Sequence, residues 1–168
     1  MCMTPLDVSR GIASYLKDCI KEYDEPLRFV DADTQEETVK DVKVYSGFLP
    51  RKTKRQDIID LCPAIVVRPQ TFKDGKDDSR VSIAVFVTVF DEDMEQGCET
   101  LFHFMDFVRA MLLLENPIRD KWFIADGLEG TVPDDQPFPQ WLGVIEFEVY
   151  IPQPKRYNSE ILGGDPFA

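Results

Sequence analysis

The stretch from Arg80 to Phe90 limits what this chain can fold into more than any other segment. Val81, Ile83, Val85, Val87 and Val89 fall on one side of an extended chain, and Ala84, Phe86, Thr88 and Phe90 on the other. Successive side chains of a strand point to opposite faces, and β-branched residues suit a pleated surface. Apolar residues on both sides predict a central strand covered on both faces. The chain must build a sheet around these residues and bring other elements to cover it.

Two helices are expected to provide cover. Over residues 4–23, Thr4 can cap the helix, Pro5 fits its first turn, and Asp7 suits the positive N-terminal end. Val8, Ile12, Tyr15, Leu16, Cys19 and Ile20 recur at helical spacing as one apolar stripe. Gly11 is a mild flaw in that helix and a candidate close-packing point. The second helix, Leu101 to Leu114, is apolar almost all round; His103, Asp106 and Arg109 continue from Glu99 as one narrow polar stripe. Such a helix needs burial on more than one side. One side fits this chain's sheet. A neighbouring subunit or a larger internal core would take the other, and Phe102, Met105, Phe107 and Leu113 are the candidate subunit-contact residues.

Further strands are expected near Leu27–Val30, Val39–Phe48, Pro63–Pro69, Trp122–Leu128 and Trp141–Ile151. In the second of these, Val42, Val44 and Ser46 oppose Lys43 and Tyr45. In the last, Ile145, Phe147, Val149 and Ile151 face inward while Glu146, Glu148 and Tyr150 face water, as in antiparallel pairing. Polar stretches at Asp31–Glu37, Lys73–Asp78 and Glu129–Pro139 read as turns or loops, and Arg51-Lys52-Thr53-Lys54-Arg55 as a basic loop before a short helical turn at Ile58–Leu61. The pattern predicts an α+β fold: a central mixed, mostly antiparallel sheet with an N-terminal helix and one long apolar helix packed on it. A length of 168 residues predicts one domain, over 1–154, followed by an extended C-terminal tail at 155–168.

Little in the sequence points to catalysis. His103 is the one histidine, and no motif places a serine or cysteine to use it. Neither GxxxxGK[ST] nor GxGxxG occurs. Cys2, Cys19, Cys62 and Cys98 form no CxxC pair, so free and mostly buried thiols are expected, without disulfide or zinc. Asp91-Glu92-Asp93 with Glu95 lacks the alternating ligands of a calcium loop and suits a helix N-terminus. No enzymatic activity, cofactor or metal is therefore expected. The net charge of −12 argues against a surface that neutralises phosphates. No apolar run reaches the roughly 20 residues of a membrane helix, and Met1-Cys2-Met3-Thr4-Pro5 carries no secretory signal pattern. Against this acidity, Arg51, Lys52, Lys54 and Arg55 are candidate partner-binding cations; a solvated loop and a nucleic-acid contact are the other readings.

Three segments together carry a resemblance. Val44-Tyr45-Ser46-Gly47-Phe48-Leu49-Pro50 is followed by the basic loop and Cys62-Pro63-Ala64-Ile65-Val66-Val67-Arg68-Pro69. The long strand from Val81 to Phe90 leads through acidic residues into the Leu101–Leu114 helix. Pro137-Phe138-Pro139-Gln140-Trp141-Leu142-Gly143 precedes a strand ending Tyr150-Ile151-Pro152-Gln153-Pro154. Over about residues 40–154 this pattern resembles the tail-terminator, or tail-completion, proteins of long-tailed bacteriophages and prophages. The resemblance implies a small structural α/β subunit of a homo-oligomeric ring, typically six-fold. Such a ring caps the tail tube and meets the head connector or neck protein. The implied setting is the host cytoplasm during assembly and then the virion tail. DNA would pass through without specific binding, with Asp31–Glu37, Asp91–Glu95 and Asp134-Asp135 as candidate acidic bore segments. No catalytic residue comes with the resemblance. Another head–tail connector component, and a small hydrolase or nucleotide-binding enzyme with a polar pocket, stay open beside it.

Overall fold

In the computed structural model, which describes residues 3–23, 28–30, 34, 36–39, 41–51 and 54–153, Thr4 starts the first helix, α1 (Pro5–Glu22). Its hydroxyl accepts from the Asp7 backbone N–H at 3.2 Å, and the Asp7 carboxylate accepts from the Thr4 N–H at 2.9 Å. This reciprocal cap satisfies two donors that a helix start leaves over. The bond from the Thr4 backbone, then that from its hydroxyl, holds the Asp7 carboxyl below its usual range. Val8, Ile12, Tyr15, Leu16 and Cys19 are buried along one stripe, and Ile20 is half-buried beside them.

After α1 come β1 (Arg28–Val30), β2 (Glu37–Val39), β3 (Lys43–Ser46), α2 (Arg55–Leu61), β4 (Ala64–Asp74), β5 (Ser79–Phe90), α3 (Met94–Leu114), β6 (Phe123–Thr131) and β7 (Gln140–Ile151). β1 and β2 form a separate antiparallel pair. The others form one five-stranded sheet in the order β3-β4-β5-β7-β6. β3 and β4 run parallel, and every other pairing is antiparallel. The fold is thus α+β with a mixed sheet and an N-terminal helix. β5 lies at its centre, as its two apolar faces require.

α1 packs on β3 and β4, and α3 on β5 and β7. Between helices and sheet lie Ile65, Val67, Val81, Ile83, Val85, Val87, Ile145, Phe147 and Val149. The Tyr15 hydroxyl crosses between the helices and donates to the Met111 carbonyl at 2.7 Å. Burial pushes the Tyr15 hydroxyl and the Cys19 thiol above their ordinary pKa values, which keeps both protonated.

α1 and α3 cover the face of β5 that carries Val81 to Val89, and Arg55 of α2 lies over Phe90 on the other. On the opposite face Ala84, Thr88 and Phe90 are buried, but Arg80, Ser82 and Phe86 are only half-buried. Thr88 survives there because it is bonded: Gln140 Nε2 donates to its hydroxyl at 2.7 Å, with Cys62 Sγ 3.7 Å away. β4 also runs past Pro69, where a strand end is expected. A register shift between Pro69 and Thr71 lets the ladder resume as far as Asp74, and a bulge is where a residue without an N–H is tolerated. Leu27, Asp31–Asp33 and the expected 155–168 tail lie outside the described residues. Among the described residues no helix is long and apolar enough to cross a membrane.

Candidate functional site

Asp93 starts α3 by accepting from the Gln96 N–H at 2.9 Å. The helix buries Leu101, Phe104, Met105, Phe107, Val108 and Leu112. Phe102, Leu113 and Leu114 stay exposed at 53%, 50% and 64%. Of the four residues expected at a subunit contact, Phe102 and Leu113 are therefore on the surface. Met105 and Phe107 are each 8% exposed. Met105 turns inward because Gly143 on β7 has no side chain: a Cβ there would lie 2.2 Å from the Met105 sulfur. Phe102 and Met105, with Leu128, Val132 and Ile145, line an open apolar groove of about 430 Å³ beside the edge strand β6. Arg109 and Asp106 sit on its rim, paired at 3.2 Å with both side chains mostly exposed. His103 is also exposed.

A second open groove, about 480 Å³, lies on the other sheet face, where the 48–51 segment meets β4, β5 and β7. Phe48, Val66, Phe86 and Leu142 give it an apolar lining, and Arg51 and Arg68 are its charged residues. The Arg68 guanidinium lies over the Phe48 ring at 4.5 Å and the Phe86 ring at 4.3 Å. Sequence reasoning passed over Arg68. The available signal was a lone cation inside the apolar strand Ala64-Ile65-Val66-Val67-Arg68.

Of the basic segment, Arg51, Lys54 and Arg55 are exposed, and Arg55 opens α2 where a loop is expected. Arg51 reaches the second groove, and Lys52 lies outside the described residues. Lys54 is exposed just before α2, and its N–H donates to Asp57 at 2.9 Å. Arg55 belongs to α2, pairs with Glu92 at 2.8 Å and lies over the Phe90 ring. The acidic turn is likewise partly committed. Asp91 is buried and accepts from the Asp93 N–H at 2.8 Å, Glu92 holds Arg55, and Asp93 caps α3; Glu95 is exposed.

Another charged cluster went unseen in the sequence. Arg80 contacts Asp78 at 3.0 Å, Asp126 at 3.3 Å and Glu148 at 3.2 Å, and lies over the Tyr150 ring. Hydrogen bonds to Asp78 and then Glu148 raise its pKa above the ordinary value. Only the sheet register brings these segments together. Among the described residues no group of three or more His, Cys, Asp or Glu is placed to hold a metal ion. No protein-family model matches this chain. No curated protein sequence matches it either.

Proposed function

We propose that this chain is a structural assembly subunit of a long-tailed phage or prophage. In that role it forms a homo-oligomeric ring that caps the tail tube and joins it to the head connector. The observation that carries the proposal is apolar surface left over after the core is complete. Phe102, Leu113 and Leu114 stand exposed along one helix, and Phe102 lines an apolar groove at a sheet edge. Exposed apolar area gathered around a groove marks interaction sites. The segments that resemble tail terminators support the same role. No catalytic step is part of the proposal: the exposed His103 has no nucleophile assigned to it.

Negative-stain microscopy of the purified protein, with and without tail tubes, tests the proposal. Rings at tube ends are expected. The free protein can be monomeric, since a ring templated by the tube need not close beforehand. A chain that stays monomeric with tubes present, leaving their ends bare, rejects the proposal.

A further inference from the structure

We propose that the groove holding Arg68 receives the start of α3 from a second copy of this chain, with Arg68 binding the Glu95 carboxylate and the apolar lining taking Met94. This inference rests on the ring proposal and names its contact.

Arg68 differs from the other arginines that lie over aromatic rings, Arg55, Arg80 and Arg119, while the exposed Arg10 and Arg51 also show no ion pair among the described residues. Arg55, Arg80, Arg109 and Arg119 each pair with a carboxylate of the chain. Arg68 makes ring contacts alone among the described residues, although acidic residues outnumber basic ones 31 to 19. Its guanidinium is half-buried and held over Phe48 and Phe86. A planar fork of donors fixed in this way suits a carboxylate held by two parallel bonds. No Asp or Glu lines the groove, and Arg51 adds a second positive charge. Phe48 is 74% exposed at its edge, more apolar surface than a finished monomer needs.

The complement is on the same chain. With a net charge of −12, a second copy is an acidic partner. At the start of α3, Met94 is 66% exposed and the next residue is the exposed Glu95. Asp91, Glu92 and Asp93 are occupied by the bonds already described, which leaves Glu95 to meet a partner's cation. Methionine is flexible and packs well against aromatic rings. Where the helix start of one copy enters the groove of the next without a reciprocal contact, the association is head-to-tail. Such contacts generate rings when the rotation closes.

Charge reversal on the full chain tests this, with tube capping scored by negative-stain microscopy across a protein titration. Arg68→Glu and Glu95→Arg should each raise the concentration that caps half the tubes by about tenfold or more, the scale of a lost charge-assisted bond. The double variant should restore capping, because each contact then carries the reversed pair. Arg68→Met keeps the stem and ring packing; it should fold like the wild type by circular dichroism and still cap poorly. Normal capping by Arg68→Met, or a double variant no better than the single ones, overturns the inference while the ring proposal stands. Wild-type protein that never caps tubes overturns both.

Discussion

Gly97 has no room for a methyl group. A Cβ there would lie 2.2 Å from Trp141 Nε1, the same nitrogen that donates to the Asp91 carbonyl at 3.0 Å. In a helix, alanine gains about 1 kcal/mol over glycine. Overpacking a filled site typically costs about 1–3 kcal/mol, and a contact this short favours the cost. Gly97→Ala should therefore lower the urea midpoint at unchanged slope, and a raised midpoint would show that the indole yields freely. Gly11 stands likewise against Trp122, at 2.1 Å for an added Cβ. The sequence suggested Gly11 because it interrupts an otherwise good helix. It gave no hint of Gly97, whose partner is fixed only by tertiary packing. Local chemistry was legible at Thr4 and Asp7, three residues apart. The folded pKa of Asp7 lies below its ordinary value, so its contribution to stability is present above the unfolded pKa and is lost as pH falls through the folded one. Asp7→Asn should thus melt below wild type at neutral pH, with the gap closing in acid. Thermal melts at several pH values check this; a gap that persists at low pH contradicts the cap.

At the scale of elements, β5 and α1 were readable because each carries its pattern within a few turns or pleats. β4 outran its expected end because only the register with β5 reveals the bulge beyond Pro69. The basic segment divided for a similar reason: Asp57 accepts from the Lys54 N–H and helps start α2, which draws Arg55 into the helix. This division sharpens a prediction about Arg51, Lys52, Lys54 and Arg55. Replacing all four with serine should leave the fold intact, because the Arg55–Glu92 pair has both side chains about half exposed and such pairs contribute at most about 1 kcal/mol. Tube capping should weaken, most visibly at low salt, because complementary charges steer encounter between proteins and salt screens them. Circular dichroism and capping titrations separate the two effects. Capping equal to wild type would make the segment a solvated surface and nothing more.

The whole molecule has an asymmetry that no single segment announces: α1 and α3 lie on one face of the sheet, and the other face, which Arg55 of α2 reaches at Phe90, is partly open. Counting apolar residues on β5 could not reveal this, because Ala84 and Thr88 are buried although neither long helix packs on that face. Acidity is the other property of the whole. If the chain forms a ring at the end of a DNA conduit, the polyanion must pass without sticking. Each neutralised phosphate would add affinity through released counterions, so a basic bore would act as a brake. A wall of carboxylates repels DNA and keeps it centred, over about 8 Å at physiological ionic strength. The structure narrows the candidates for that wall. Asp91, Glu92 and Asp93 are committed to local bonds, and Glu95 is assigned above to the subunit contact. Asp31–Asp33 lie outside the described residues, while Glu36, Asp134 and Asp135 are exposed. Carboxylates should therefore outnumber cations on the bore, with the 132–139 loop the leading contributor. Fluorescence anisotropy with duplex DNA at physiological salt should detect no binding by the free chain. The charge of −12 would serve solubility alone if the chain binds DNA measurably, or if an assembled ring has a bore lined mainly by lysine and arginine.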